Sequence, residues 1–455
     1  MTGQGELALS VTSGDADLLD ALFGKADRIL IKKLSNNDRD WARFPNKHQA
    51  GVYIPHEQRD GGFFPALEVM ERDDPDADEI RERYFTTLWP QAEGRDAEKR
   101  SRLVHYTSKG QETHMTRLPK SVFSELLPAS FLVAGRIGRG GETAYECLTI
   151  DSASDEAALL ADLFDIDPDF LIGEFDPAEL KQQERERVLD FADQVIAAWL
   201  KGEIELFARG NAAMPDTASL ALLARQAFLD KYGLKDINPF GMERPGDALR
   251  EISRSIEWDL FREFQRKERS VQLVRSVLGD EPRTVDAPDV IRRLIDQLPA
   301  IDRLMLSASQ QRKSRAGYSY EHHIEAMLGD GKIPFEKQVI IDARKRPDFV
   351  LPSLKFIDSG EPGSETGLIL SAKTTLRERW KQVEREKGHR NLYLTTVDEN
   401  IAANVIEDMA SFGVHLVIPE SLRRSKEAEY EGHDNVLSFR EFCDRAVLPN
   451  IGVWS

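Results

Sequence analysis

The sequence has very little cysteine and no long apolar run. Only Cys147 and Cys443 occur among its 455 residues, far apart and without the paired spacing of a zinc site. This usage fits a reducing compartment and argues against a disulfide-stabilised secreted protein. No apolar stretch approaches the roughly 18 residues that cross a bilayer, and the first residues lack the basic and apolar regions of a signal peptide. We therefore expect a cytoplasmic protein with no membrane partner.

Net positive charge is lacking as well. The formal net charge is −18, although 41% hydrophobic and 31% charged residues make a globular composition. Acidic residues concentrate at 68–82 and 151–179, whereas basic residues gather at 95–102, 312–315 and 373–390. A binding surface needs only local positive potential, so the overall charge does not exclude a nucleic-acid partner. On charge alone, an ordinary protein surface explains the pattern equally well.

The length predicts two or three domains, because one core rarely serves so long a chain. Short runs rich in β-branched and apolar residues predict a barrel or sandwich near the N-terminus, with strands at 27–34, 51–55, 101–106, 130–135 and 144–150. The polar stretch 35–49 is expected to be a loop. From 335 onward, strand-like runs alternate with helical patterns.

We accordingly predict a multi-domain α+β protein. Its expected parts are a β-rich N-terminal domain over 1–180, a helical connector over 181–213 and an α/β domain over 214–455.

Two apolar runs in the second half carry charged residues at their ends. Asp348 heads the run 347–351, and Lys373 follows the run 368–372, which places them 25 residues apart. That distance leaves room for a strand, a loop and a second strand, so a carboxylate and an ammonium group can meet at the edge of a small sheet. Phosphodiester hydrolysis needs a hard divalent metal and a positive group near the attacking water. We predict Asp348 as a metal ligand and Lys373 as the cation that positions or activates water.

Two further carboxylates complete the predicted catalytic set. Glu386 lies 13 residues after Lys373 and is the second candidate metal ligand, and Glu321 on an earlier helix is a possible third acid. Each motif alone is weak, since a Pro-Asp pair is usually a loop and a charged helix over 375–387 is usually a solvated face. The order of strand acid, strand lysine and helix is what favours a nuclease.

The charged triplet Arg377-Glu378-Arg379 follows the predicted lysine closely. Arginine can bind guanine O6 and N7 bidentately, and glutamate can accept a hydrogen bond from cytosine N4. Leu376, Trp380 and Val383 mark the helix face expected to pack inward. The triplet is therefore predicted to read bases in the major groove.

At these positions the sequence resembles the EcoRII-type type II restriction endonucleases. The resemblance is carried by Lys313–Gly317, Ser319, Glu321, Pro347–Phe349, Lys373–Thr375, Arg379, Trp380 and Gln382. It implies a PD-(D/E)xK nuclease fold with a shifted glutamate, in which Asp348, Lys373, Glu386 and Glu321 are catalytic. It also implies that Arg377, Glu378 and Arg379 read the bases of a CC/GG-containing site.

The first half resembles the N-terminal effector domain of the same family. The matching residues are Lys33–Ser35, Asn37, Asp38, His48, Gln49, Gly51, Tyr53–Pro55 and Glu98–Arg100. This resemblance implies a DNA-binding pseudobarrel with His48, Tyr53, Glu98, Lys99 and Arg100 on its DNA face. From the residues alone, 98–100 is a plain charged turn and His48 a hydrogen-bonded loop histidine.

Together these resemblances imply a Mg²⁺-dependent homodimer that cuts double-stranded DNA at a CCGG-, CCNGG- or CCWGG-like site. Effector DNA bound to the N-terminal domain would regulate it, and a cytosine DNA methyltransferase of the same restriction-modification system would be its functional partner. Two alternatives stay open: a DNA-binding regulator with an inactive nuclease fold, and a structure-selective repair nuclease. The intact acidic residues and lysine argue against the first, and the Arg-Glu-Arg triplet argues against the second.

Overall fold

A computed structural model describes residues 14–44, 51–70, 79–110, 112–340, 346–376, 380–381 and 390–454, with the backbone alone at 109, 184, 187–188, 190 and 305–318. The chain divides into two compact units, Met1–Gln182 and Gln183–Ser455. Within the described ranges, no helix combines the length and apolar character needed to cross a membrane.

The first unit is built on one mixed sheet. In the described residues the sheet has nine strands, in the order β2-β6-β5-β4-β8-β7-β1-β9, with β3 paired to β4 outside this path. The strands are β1 (Arg28–Lys33), β2 (Val52–Tyr53), β3 (Glu68–Val69), β4 (Ile80–Leu88), β5 (Glu98–Tyr106), β6 (Thr113–Thr116), β7 (Phe131–Arg139), β8 (Glu142–Ile150) and β9 (Ile172–Phe175). The accompanying helices are α1 (Asp15–Lys25), α2 (Asn36–Arg43), α3 (His56–Asp60) and α4 (Asp155–Leu163).

The sheet curls around a shared core. Val52 of β2 and Ile172 of β9, from the two ends of the strand order, contact the same buried cluster as Leu30 of β1. The neighbouring Ile29 and Ile31 point to the opposite face and pack in a second cluster with α1 and α4. Burial on both faces explains why the three consecutive residues Ile29, Leu30 and Ile31 of β1 are all apolar. The β-rich character predicted for this part of the chain is confirmed.

Helix α2 corrects the expected polar loop. Residues 36–43 are helical because Ser35 caps the helix reciprocally with Asp38, in the Ser-x-x-acid arrangement of a capping box. Asp38 is fully buried; its Oδ1 accepts the Tyr53 backbone N–H at 2.7 Å, and its Oδ2 lies 3.0 Å from Lys32 Nζ. A polar composition therefore conceals a helix whose acid is an internal anchor.

The second unit places helices before a six-stranded sheet. Its strand order in the described residues is β10-β11-β12-β13-β14-β15. Strands β10 to β12 pair antiparallel, and β12 to β15 pair parallel. The strands are β10 (Glu336–Lys337), β11 (Phe349–Leu351), β12 (Leu368–Ala372), β13 (Asn391–Thr395), β14 (Val414–Ile418) and β15 (Val436–Ser438).

The remaining helices lie between Pro177 and the C-terminus. They are α5 (Pro177–Leu200), α6 (Ile204–Phe207), α7 (Thr217–Tyr232), α8 (Pro245–Glu251), α9 (Glu257–Leu278), α10 (Ala287–Asp296), α11 (Leu298–Asp330), α12 (Leu354–Ile357), α13 (Ala403–Ser411), α14 (Phe439–Phe442) and α15 (Ile451–Trp454), with π-helical turns at Ala208–Ala212, Ile252–Ile256 and Cys443–Val447.

Strand β12 lies between two hydrophobic cores, one on each face of the sheet. Leu368 and Leu370 pack into the cluster formed with α7, α8 and α11, whereas Ile369 packs into the cluster on the other face. A strand covered on both faces reads as a continuous apolar run, which is why the sequence predicted it. The predicted multi-domain α+β class, with an α/β second part, is confirmed.

Replacement of Asp38 tests whether its buried carboxylate stabilises the first unit. Asp38→Ala leaves Lys32 buried without its partner, and such a change costs about 3 kcal/mol. We expect hydrogen exchange of the β1 and β2 amides to report a fall of that size in the free energy of opening. Asp60→Ala, which removes only the exposed carboxylate paired with Arg59, is the matched control and should change it by less than about 0.5 kcal/mol. Equal effects of the two variants would contradict the anchor.

Candidate active site

Asp348 and Lys373 meet where β11 begins and β12 ends. Lys373 Nζ lies 2.7 Å from Asp348 Oδ2. The same oxygen accepts hydrogen bonds from the Ser371 hydroxyl and the Ala372 backbone N–H, each at 2.8 Å. Three donors therefore fix one carboxylate oxygen. Oδ1 accepts no hydrogen bond from the part of the chain that the structure describes, so it is available to a ligand.

The strand register produces this meeting. Phe349 pairs with Leu370 in the antiparallel ladder, so the residue before Phe349 lies beside the residues that follow Leu370. Lys373 is tied to the next strand by its backbone N–H, which donates to Thr395 O at 3.0 Å. Both charged side chains are partly open to solvent, at 13% exposure for Asp348 and 26% for Lys373. The predicted pairing of acid and lysine is thus present in the structure.

Helix α11 brings Glu321 to the same place. Tyr320 is buried, and its hydroxyl lies 2.9 Å from Thr395 Oγ1, on the residue whose carbonyl holds Lys373. Loss of solvation raises the pKa of Glu321 to about 7, with the negative charge of Asp348 as the next cause, and the Lys373 cation opposes both. Two carboxylates therefore repel each other across this site.

A buried polar contact holds α11 on its other side. Glu257 of α9 accepts hydrogen bonds from Ser319 and from His323 Nε2, and all three side chains are buried. Burial lowers the pKa of His323. These contacts hold α11 against α9 at the residues on either side of Glu321.

A second ion pair borders the site and was not predicted from the sequence. Lys337 Nζ of β10 lies 2.5 Å from Glu325 Oε2, one helical turn after Glu321. Lys337 pairs with Phe349 in the sheet, which places it beside the strand headed by Asp348. The four-residue spacing of Glu321 and Glu325 was the only local sign in the sequence, because Lys337 reaches Glu325 through strand pairing.

The donor set suits a hard divalent cation. The described residues contain no group of three or more His, Cys, Asp or Glu side chains placed to hold a metal. Mg²⁺, however, commonly keeps several waters and uses one or two protein carboxylates. The available Oδ1 of Asp348 and the carboxylate repulsion felt by Glu321 fit such an ion, which would relieve that repulsion.

Several predicted site residues lie outside the described residues: Glu386, Arg377, Glu378, Arg379 and His48. The residues on either side of the triplet are described. Leu376 and Trp380 are buried in one cluster, and the Leu376 backbone N–H donates to the buried Asp398 at 2.8 Å. The predicted inward packing of Leu376 and Trp380 is confirmed, whereas Val383 lies outside the described ranges.

In the first unit the predicted effector residues that the structure describes fall on β2 and β5, with β6 between these two strands. Tyr53 of β2 contacts His114 of β6, with ring centroids 6.0 Å apart. On β5, Glu98 pairs with Arg139 at 3.0 Å, and Lys99 pairs with Asp96. Arg100 lies over the ring of Tyr84.

Comparison with known proteins identifies the family. A family model described as EcoRII C terminal matches residues 283–443. The chain is 30% identical over 230 residues to the type II restriction enzyme SsoII of Shigella sonnei, an alignment that covers 48% of this chain and 72% of that enzyme. The chain belongs to the EcoRII/SsoII family of type II restriction enzymes. The resemblance found in the sequence is confirmed.

Other relatives of this EcoRII/SsoII family member align over a shorter stretch or with a lower sequence identity. The type II restriction enzyme EcoRII of Escherichia coli is 35% identical over 139 residues, which are 30% of this chain and 34% of that enzyme. A metal-depleted Ecl18kI complex with uncleaved, modified DNA aligns at 24% identity and TM-score 0.45, over 56% of this chain and 85% of that chain. A complex of PspGI with substrate DNA aligns at 17% identity and TM-score 0.37, over 51% and 91% respectively. Family membership rests on the sequence matches.

The raised pKa of Glu321 predicts a defined pH dependence of stability. Because the folded pKa of about 7 exceeds the ordinary value of 4.5, the folded state binds the proton more tightly than the unfolded chain. This contribution is fully present below pH 4.5 and is lost as the pH rises through 7. Urea unfolding of the wild type should therefore lose stability across that window relative to Glu321→Gln, which cannot titrate.

Glu361→Gln, at an exposed loop position of the same unit, is the control for the loss of one carboxylate. Its stability should run parallel to that of the wild type over the whole pH range. Parallel curves for Glu321→Gln and the wild type would contradict the raised pKa of Glu321.

Proposed function

We propose that this protein is a sequence-specific type II restriction endonuclease that hydrolyses double-stranded DNA at a short CC/GG-containing site. The single observation that carries the proposal is the contact of Asp348 with Lys373 at the junction of β11 and β12. In a chain of this family, that contact supplies a carboxylate and a cation where a phosphodiester can reach both.

The residues divide the chemistry between them. Lys373 places a positive charge where it can orient water or stabilise the charge that develops on the phosphate. Its own position is set by Asp348 Oδ2 and by the Thr395 carbonyl. Glu321, with a pKa of about 7, can accept a proton near neutral pH.

Asp348, through Oδ1, and Glu386 are the residues that would hold Mg²⁺. When bound, this ion polarises the phosphate and increases the acidity of a coordinated water. The carboxylate oxygens available here suit Mg²⁺ better than a soft metal, and neither of the two cysteines competes, since Cys147 and Cys443 are buried in cores.

Base selection is assigned to Arg377, Glu378 and Arg379. The support is indirect: the triplet lies between two buried residues of one core, Leu376 and Trp380. In the sequence the triplet follows Lys373 by four to six residues, so selection and cleavage would share one short stretch. Arginine contacts to guanine and a glutamate contact to cytosine would allow the protein to recognise a CCGG-, CCNGG- or CCWGG-like site.

The remaining assignments follow from the family resemblance. The protein would act as a homodimer in the cytoplasm, since a two-fold pair suits a nearly palindromic site. The first unit would bind effector DNA through His48, Tyr53, Glu98, Lys99 and Arg100. A cytosine methyltransferase of the same system would protect the host sites.

Removal of the lysine tests the proposal. We expect Lys373→Ala to lower Mg²⁺-dependent cleavage of plasmid DNA by at least about 100-fold, because a preorganised positive charge is lost from the reacting centre. DNA binding without metal should persist. Lys231→Ala removes a lysine from an exposed ion pair with Glu251 in the same unit and should cleave like the wild type.

The two alternatives predict different outcomes. An inactive regulator would cut no DNA carrying CCGG, CCNGG or CCWGG, and that result would overturn the enzyme assignment. A structure-selective repair nuclease would cut forks or junctions regardless of sequence, and that result would overturn the base-reading assignment.

A further inference from the structure

Two arginines lie over one tyrosine ring in the first unit. The guanidinium carbon of Arg117 is 4.9 Å from the centroid of the Tyr84 ring, and that of Arg100 is 5.2 Å from the same centroid. Both distances are within the range of cation–π attraction. We call these three residues the Tyr84 patch.

Neither arginine of the Tyr84 patch is neutralised by an acidic side chain in the part of the first unit that the structure describes. Among the described residues, Arg100 and Arg117 make no ion pair and no hydrogen bond, and both are exposed. Nearby arginines behave differently: Arg102 pairs with Glu82, and Arg83 pairs with Glu68. In a chain with a net charge of −18, two adjacent cations that have no acidic partner in the described ranges indicate a site for an external anion.

The backbone at Arg117 supports a functional role. Its φ is 62°, in the left-handed region that residues with a long side chain rarely adopt. Such strain concentrates at binding sites, where the surrounding structure holds a side chain in one direction. Here the strained residue directs a guanidinium group over Tyr84.

The strand register places the Tyr84 patch on the sheet face that carries Tyr53 and Glu98, two of the predicted effector residues, whereas Lys99 pairs with Thr87 on the opposite face. Tyr53 pairs with His114, Thr116 pairs with Arg102, and Arg102 pairs with Tyr84, across β2, β6, β5 and β4. Directly paired residues lie on the same face of a sheet. Arg100 is two residues from Arg102 and shares that face. The opposite face of β4 carries the buried Phe85 and Thr87.

We propose that Tyr84 and Arg117, together with Arg100, form a binding site for the phosphate backbone of effector DNA. In this site the two guanidinium groups hold phosphates of the duplex. The proposal rests on the effector role proposed for the first unit and extends it to two residues outside the family motif.

The chemistry of the patch favours a phosphodiester backbone. A guanidinium group presents a planar fork of donors that matches phosphate oxygens. The Tyr84 ring preorganises both forks before DNA arrives and partly offsets their mutual repulsion. Phosphate contacts position a duplex without reading its sequence, so the patch would contribute affinity and not base choice.

The test uses the full chain and a labelled duplex carrying one predicted site, in EDTA to prevent cleavage. Arg117→Asn removes the charge and keeps a residue type that tolerates a positive φ. We expect it to bind about tenfold more weakly, because a charged hydrogen bond is lost. The slope of log affinity against log salt should fall in magnitude by about one, as for one lost phosphate contact. Arg117→Lys should recover part of the salt dependence.

Matched variants separate the patch from general charge effects. Arg83→Ala removes an equal charge from the opposite face of β4 and should leave affinity and slope unchanged. Tyr84→Phe keeps the ring and should bind like the wild type, whereas Tyr84→Ala should weaken binding. Thermal unfolding of each variant verifies that it is folded. Equal affinities and slopes for Arg117→Asn and Arg83→Ala would overturn the proposal.

A second readout distinguishes this proposal from the effector role itself. Cleavage of a single-site plasmid is followed while an uncleavable second duplex is added in trans. Arg117→Asn should need about tenfold more duplex for half-maximal stimulation, with an unchanged maximal rate. If the second duplex stimulates cleavage by the wild type and by Arg117→Asn equally, the role of the Tyr84 patch is overturned and the effector role of the first unit is kept. Weaker binding by Arg117→Asn without any stimulation of the wild type would support the patch and overturn the effector role.

Discussion

One carboxylate oxygen organises the second unit. Asp348 Oδ2 accepts from a hydroxyl, a backbone N–H and an ammonium group, and the donors come from consecutive residues at the end of β12. This contact joins the start of one strand to the end of its neighbour and sets the position of Lys373. The other oxygen of Asp348 accepts no hydrogen bond from the described residues. The importance of this charged pair lies in the fixed positions of its two groups, since an exposed ion pair contributes little stability by itself.

The surroundings explain why this edge is both rigid and reactive. The sheet is buried on both faces, so its strands cannot shift without disturbing two cores. Helix α11 is tied to Thr395 through Tyr320 and to α9 through Ser319 and His323. The resulting rigid frame holds the Glu321 and Asp348 carboxylates against their mutual repulsion. A divalent cation would relieve that repulsion, and this links the folding energetics of the unit to its proposed chemistry.

The sequence predicted those elements in which apolar residues are buried and polar residues are exposed, as their residue pattern suggests. The run 368–372 is largely apolar because both faces of β12 are buried, and the lysine that follows it, Lys373, marked the site. Strand β4 was missed because its outward residues are charged and follow an acidic stretch. Helix α2 was missed because Asp38 looks like a solvated acid until Lys32 and Tyr53 are brought to it by the fold. The Lys337–Glu325 and Tyr84 contacts likewise depend on strand pairing, which residue periodicity does not reveal.

We propose that one stretch of the chain, from Lys373 to Glu386, carries part of the cleavage site together with the residues that choose where to cut. The most direct test is to digest a complex DNA mixture with the protein and Mg²⁺ and to sequence the ends that are produced. We predict discrete ends that share one short motif containing CC and GG at a fixed distance from the cut. Ends distributed at random, or ends defined only by DNA structure, would contradict the claim.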